Sequence, residues 1–192
     1  MIDPHNITNF DRTAAELQEF ALFAPAVAGK TAAQIARALD RFLGESGACQ
    51  PFARIRAYDQ EGKLTDRIRD AKLGKWRTLT SCYRSLANSR LDLRSCALTE
   101  LESIDGIGPK TSRFFVMHTR RDVRVAVLDT HVLSYLRSLG HTVPKATPQS
   151  SSSYERIEKL FIDHATKIGR TDLAALDLEI WSSSTLRSRV DN

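Results

Sequence analysis

The chain has 192 residues, 42% of them hydrophobic and 27% charged, with a net charge of +5 at neutral pH. That is an ordinary globular composition, long enough for one sizeable core or two small subdomains. No uninterrupted apolar run reaches the ~18 residues of a membrane span, and the opening MIDPHNITNFDR has no signal-peptide core, so a cytoplasmic location is expected.

Residues 1–12 read as irregular. Thr13 and Glu16 have the spacing of a capping box, and the helix it opens carries apolar Leu17, Phe20, Ala21, Ala24 and Val27. Pro25 is expected to bend or divide that helix. Ala28-Gly29-Lys30-Thr31 breaks the chain. Ala32, Ile35, Ala36, Leu39, Phe42 and Leu43 then recur on one helical stripe, with Gly44 as its stop. Residues 50–72 read as short helices. Their bases Lys63, Arg67, Arg69 and Lys72 are diluted by Asp59, Glu61, Asp66 and Asp70, which describes a solvated face.

A further helix opens at Leu73-Gly74-Lys75-Trp76-Arg77 and passes through Leu79, Cys82, Tyr83 and Leu86, with Trp76 read as core. Cys49, Cys82 and Cys96 are widely spaced and form no CxxC pair. Neither structural zinc nor an iron–sulfur loop is expected, and all three read as buried free thiols.

The stretch Leu101 to Leu133, LESIDGIGPKTSRFFVMHTRRDVRVAVLDTHVL, holds the densest set of signals. Thr99 and Glu102 have capping-box spacing for a short helix near Glu100. Gly106-Ile107-Gly108 permits a tight turn with positive φ and close approach of a partner. Pro109 suits the first position of the next helix, which places Lys110 in its first turn. The exposed N–H groups around Gly106 and Gly108 form a phosphate seat, so this is a helix-hairpin-helix able to grip a DNA backbone without reading sequence.

Lys110 faces the positive end of a helix dipole, which is unfavourable by up to ~1 kcal/mol, and partial burial would further favour the neutral amine. Taken alone it fits a phosphate contact as well as a nucleophile. Asp129 shifts the balance. It is a good N-cap for the apolar helix that runs through His131, Val132, Leu133, Tyr135 and Leu136 to Gly140, and such a carboxylate stays ionised. A neutral amine and a held carboxylate, each on a helix start, make a nucleophile with its charge stabiliser. Arg120, Arg121 and Arg124 lie between the two and read as phosphate contacts, while Arg124-Val125-Ala126-Val127-Leu128 alternates weakly and is too short for more than an extended linker into Asp129.

After Gly140, HTVPKATPQSSSS reads as a loop. Ser152 and Glu155 then cap a helix with Ile157, Leu160, Phe161, Ala165 and Ile168, ended by Gly169. Thr171 starts another through Trp181, with Trp181 read as core, and SSSTLRSRVDN reads as a frayed tail. Helical patterns cover most of the chain and no strand pair is expected, so the fold class is all-α.

GIGPKTS followed by VLDTHVL resembles the helix-hairpin-helix DNA glycosylase superfamily, which includes endonuclease III and the 8-oxoguanine glycosylases. The resemblance spans about residues 20–181 and is specific across 98–136. It implies two helical subdomains with the active site in a cleft between them: one of residues 1–28 and 137–192, the other a barrel of 29–136 holding the hairpin motif at about 98–120. It implies base flipping and excision from DNA, double-stranded by expectation, by a protein acting as a monomer. Lys110 matches the lysine that attacks the sugar C1′ in glycosylase/lyase members, and Asp129 the assisting aspartate.

On this resemblance Gly106, Ile107, Gly108, Lys110, Thr111, Arg113, Arg120 and Arg121 would hold the DNA backbone. A potassium- or sodium-like ion would sit on the main-chain carbonyls of Glu102, Ile104 and Ile107 as a structural site. No cofactor is required, and the four-cysteine iron–sulfur cluster of some members is not expected, because no cysteine follows Cys96.

Superfamily members place a residue, commonly glutamine, in the hole left by the extruded base. Here Gly29-Lys30 stands there, which reads as a plain turn, or else as extra room with Lys30 reaching a phosphate. Leu176-Asp177-Leu178-Glu179-Ile180-Trp181 resembles the terminal helix of compact archaeal-type 8-oxoguanine glycosylases. Gly29, Lys30, His131, Asp177 and Trp181 are therefore base-pocket candidates, although His131 reads first as a packed or capping residue. The favoured base is 8-oxoguanine, with a bulky modified base of viral DNA as the alternative. Two rival readings stay open: a non-catalytic helix-hairpin-helix DNA-binding module, and an enzyme that remodels a modified base in DNA.

Overall fold

A computed structural model describes residues 2–4, 6–44 and 50–190. Cys49, expected as a buried thiol, lies outside the described residues; Cys82 and Cys96 are buried thiols outside any disulfide. Among the described residues there are ten helices and no strand. None of those helices is long and apolar enough to cross a membrane. The chain forms two compact units, 1–107 and 108–192, with the boundary inside the Gly106–Gly108 hairpin.

The first unit holds α1 (Ala14–Val27), α2 (Ala32–Leu43), α3 (Pro51–Gln60), α4 (Leu64–Asp70), α5 (Trp76–Asn88) and α6 (Leu98–Glu102). The capping box at the start of α1 forms as the sequence predicts: Glu16 N–H donates to Thr13 Oγ1, and Glu16 Oε2 accepts from Thr13 N at 2.7 Å. Pro25 does not divide α1. It falls in the last turn, where the N–H it lacks would have closed only one more hydrogen bond before the helix ends. Lys75 Nζ instead donates to the Ala28 carbonyl at the helix C-terminus.

Around α5 gather α1, α3 and α4, and the core centres on Phe20, Phe23, Leu39, Ile55, Ile68 and Tyr83, all essentially inaccessible to solvent. Tyr83 donates its hydroxyl to the Leu22 carbonyl at 2.9 Å, which satisfies the one polar group that this apolar centre encloses on its ring. Trp76 is not core. It is half-buried with the Arg69 guanidinium 4.0 Å and that of Arg77 4.8 Å from its ring, because a residue at a helix start is covered by its neighbours' cations more readily than by packed layers.

Entry into α6 differs from the expected Thr99–Glu102 box. Glu100 reaches back to Ala97 N–H at 2.7 Å, so the helix begins two residues earlier, with an alanine that has no side-chain acceptor of its own.

The second unit holds α7 (Pro109–Thr119), α8 (Thr130–Ser138), α9 (Ser151–Lys167) and α10 (Leu173–Val190), with α10 packed on the other three. Two starts shift from their expected positions. Ser150, not Ser152, accepts from Ser153 N–H, and Asp172, not Thr171, accepts from Ala175 N–H at 2.9 Å. The supposed tail is helical through Val190. Its serines and arginines form a continuous helix because no glycine or proline interrupts them.

Candidate active site

Gly106 has φ +80°, and a Cβ there would stand 3.2 Å from the Thr78 methyl and 3.3 Å from Cys82 Cβ. The turn and its close approach to α5 both require glycine. Ser81 Oγ donates to Asp105 at 2.8 Å and ties the same turn to that helix. Gly108 is different. It is extended (φ −98°, ψ −178°) and exposed, and a Cβ would meet nothing within 4 Å, so the positive φ of the turn occurs at Gly106 and not at Gly108. Gly106→Ala is expected to lower stability by about 1–3 kcal/mol through backbone strain, read from thermal unfolding. Gly108→Ala should leave the melting temperature unchanged.

Gly108 caps α7, its carbonyl accepting from Thr111 and Ser112 N–H at 3.0 Å each, and Pro109 occupies the first position. Lys110 and Thr111 are half-buried in that first turn. At the start of α8, Asp129 caps with a single oxygen: Oδ1 accepts from His131 N–H at 2.8 Å and Val132 N–H at 2.9 Å. Both bonds of the cap thus leave Oδ2 for other work.

Asp177, half-buried on α10, completes the group. Its carboxyl is pushed up to about 8, chiefly by burial and then by the negative charge of Asp129, with Lys110 pulling the other way. Three titratable residues from three helices of one unit therefore share an electrostatic neighbourhood. The folded chain holds a proton on Asp177 that the unfolded chain releases near the ordinary aspartate value of about 4. Stability should consequently fall as pH rises from about 4 towards about 8. Asp177→Asn is expected to flatten that part of the melting-temperature profile, most visibly in the difference between pH 5 and pH 8.

Other expected site residues fall variously. Arg121 is exposed and Arg120 half-buried, just past α7. Arg113 is not available to a phosphate. It is buried, its Nε 2.9 Å from Glu158 Oε1, with its guanidinium 4.5 Å from the Tyr154 ring. One turn beyond Lys110 the Arg113 side chain lies in the core against α9, and a desolvated guanidinium there needs a carboxylate. His131 is half-buried in the first turn of α8. Trp181 is 47% exposed, so it is surface and not core.

Gly29 and Lys30 belong to the first unit, where the Lys30 chain lies across Gly74: a Cβ on Gly74 would meet Lys30 Cε at 2.8 Å. Of the carbonyls expected to hold a monovalent cation, that of Ile104 accepts from Ile107 N–H at 3.0 Å and keeps a second lone pair. Neutral oxygens of this kind fit a potassium- or sodium-like ion. Among the described residues no three His, Cys, Asp or Glu side chains group as they would for a divalent metal.

The linker expected between Lys110 and Asp129 is held in a way the sequence did not show. Val125–Leu128 is buried and belongs to neither helix nor strand. Side chains satisfy the peptide groups of Ala126 and Leu128. Ala126 N–H donates to Glu158 Oε1 at 2.8 Å, Tyr154 Oη donates to Ala126 O at 2.9 Å and accepts from Leu128 N–H at 2.9 Å, and Thr147 Oγ1 donates to Leu128 O at 2.8 Å.

No family model matches this sequence. Among solved structures the chain is similar to the 8-oxoguanine DNA glycosylase of Methanocaldococcus jannaschii, with a TM-score of 0.67, over 94% of this chain and 84% of that one, at 19% identity. That likeness is one of fold, so the all-α arrangement here is a helix-hairpin-helix DNA glycosylase fold.

Proposed function

We propose that this chain, which has a DNA glycosylase fold, is a DNA glycosylase with lyase activity that flips a damaged or modified base out of duplex DNA and excises it. The observation that carries this reading is the gathering of Lys110, Asp129 and Asp177 from the starts of α7 and α8 and the body of α10. A hairpin that only gripped DNA would have no use for a neighbouring carboxyl that feels both this lysine and a second carboxylate.

In this reading the neutral Lys110 amine attacks C1′ and forms an N–C1′ bond. The glycosidic bond breaks, and the base leaves with the electron pair and takes up a proton. Positive charge grows on the sugar as that bond breaks, and Asp129 Oδ2 is the fixed anion that stabilises it or receives the amine proton. Opening of the sugar ring leaves an imine on the lysine. Loss of a 2′ proton then expels the 3′-phosphate. Extruding the base costs a few kcal/mol, offset by contacts along the backbone from Gly106, Ile107, Gly108, Thr111, Arg120 and Arg121.

Gly108, open on its Cβ side, is where a phosphate can come close to the chain. Gly108→Ala, harmless to the fold, is expected to weaken duplex binding several-fold. Asp177 and Trp181 are proposed to meet the flipped base, and 8-oxoguanine is the favoured substrate, with a bulky base of foreign DNA as the second choice. A monovalent ion on the carbonyls of Glu102, Ile104 and Ile107, the discontinuous division into 1–28 with 137–192 against 29–136, a monomeric state and a cytoplasmic location belong to the same proposal.

The test is borohydride trapping on an 8-oxoguanine duplex and an abasic duplex, with released bases identified by chromatography from several DNA sources. A covalent adduct with base release supports the proposal. Tight binding with neither leaves a DNA-binding module.

A further inference from the structure

The peptide groups of a buried segment outside helix and strand must find partners, and at Ala126 and Leu128 they come from side chains. Tyr154 and Glu158 are one turn apart on α9 and project together onto this segment. Between them they hold both peptide groups of Ala126 and the N–H of Leu128. The next residue is Asp129, whose N–H closes a tight turn onto Val127 O at 2.8 Å.

Glu158 Oε1 is shared. The same oxygen that accepts from Ala126 accepts from Arg113 Nε at 2.9 Å, and both side chains of that pair are nearly inaccessible, at 6% and 11% exposure. Arg113 also stacks on the Tyr154 ring and sends Nη1 to the Pro109 carbonyl at 3.3 Å, one residue before Lys110. A continuous path of hydrogen bonds thus runs from the first turn of α7 through Arg113 and Glu158 to the segment that ends on Asp129.

We propose that Arg113, Tyr154 and Glu158 form a clamp that sets where Asp129 stands relative to Lys110, and that all three are positioning residues for the chemistry of that pair. The clamp touches neither the sugar nor the base, and it acts only through the placement of Asp129. Its catalytic consequence rests on the glycosylase reading, whereas its structural part does not. Buried ion pairs are often replaceable by apolar side chains without loss of stability, so a role in placement accounts for this pair better than a role in stability alone. Misplacement of a reacting group by about 1 Å is enough to slow chemistry by about 100-fold.

The experiment uses the full chain. Tyr154→Phe keeps the ring under Arg113 and deletes the hydroxyl that bridges Ala126 and Leu128. Glu158→Gln keeps an acceptor for Ala126 and deletes the charge. Thr147→Val is a milder third variant should either of these unfold. Each is made alone and in an Asp129→Asn background, and three quantities are read: single-turnover borohydride trapping on an abasic duplex, affinity for that duplex, and amide hydrogen exchange at His131 and Val132.

Tyr154→Phe is expected to slow trapping about 10- to 100-fold, with affinity within about twofold, and to quicken exchange at both amides. In the Asp129→Asn background it should slow trapping by less than about twofold further, because a clamp with nothing to place has no effect. Unchanged exchange, or losses that multiply with Asp129→Asn, would overturn the clamp. If the wild type itself traps nothing, the glycosylase reading fails, and the exchange at His131 and Val132 still decides whether the clamp seats Asp129.

Discussion

Lys110→Gln is expected to abolish the borohydride-trapped adduct and to slow base release by a factor on the order of ten thousand, the scale of losing a covalent nucleophile. Glutamine is close to lysine in length and keeps the methylene stem, but it has no nucleophilic nitrogen. The substitution also takes a cation away from the positive end of α7, where it opposes the helix dipole, so the variant should be no less stable than the wild type and up to ~1 kcal/mol more so. Loss of activity with a retained or higher melting temperature therefore separates chemistry from folding. Persistence of the adduct in Lys110→Gln would move the nucleophile elsewhere and sink the assignment.

For Asp129 the informative contrast is between two substitutions. Asparagine retains an oxygen that can accept from His131 and Val132, so Asp129→Asn keeps the cap of α8 and deletes only the charge. Alanine deletes both, at a cost of about 1 kcal/mol in stability. Single-turnover base release should fall by about 100- to 1,000-fold in Asp129→Asn, in line with the loss of one fixed stabilising group, while its melting temperature stays near that of the wild type. Equal rates in Asp129→Asn and wild type would reduce the residue to a helix cap. The same substitution should also lower the pH at which Asp177 titrates, since Asp129 is one of the two influences that push that carboxyl up.

Local motifs were readable in the sequence because their partners lie a few residues apart. Thr13 with Glu16, Asp129 with His131 and Val132, Gly44 after α2 and Pro109 after Gly108 each form within one turn of backbone, so residue types at fixed spacing nearly determine them. Where two such patterns overlapped, the choice failed: Glu100 and Glu102 are both placed to reach back over an N-terminus, and Glu100 does.

Arg113 shows the opposite limit. From the sequence it is a cation one turn past Lys110 on a helix expected to face DNA, and its true partner is 45 positions away. A signal was present on the other side of that pair. Tyr154, Ile157, Glu158 and Phe161 share the buried face of α9, and a carboxylate on an otherwise apolar stripe calls for a buried cation. The two tryptophans were misread for a related reason. Residue type alone ranks indole as interior, but Trp76 at a helix start and Trp181 on the outer side of α10 have no packed layer above them.

The way residues 125–128 are satisfied also bears on how the protein comes off the ribosome. Their partners arrive late, at Thr147, Tyr154 and Glu158. A nascent chain extruded only as far as the loop before α9 already contains the amine and the carboxylate, with the latter held only by its own helix start. In the proposed reaction the pair is therefore complete only once the last quarter of the polypeptide has been translated and has coiled into place.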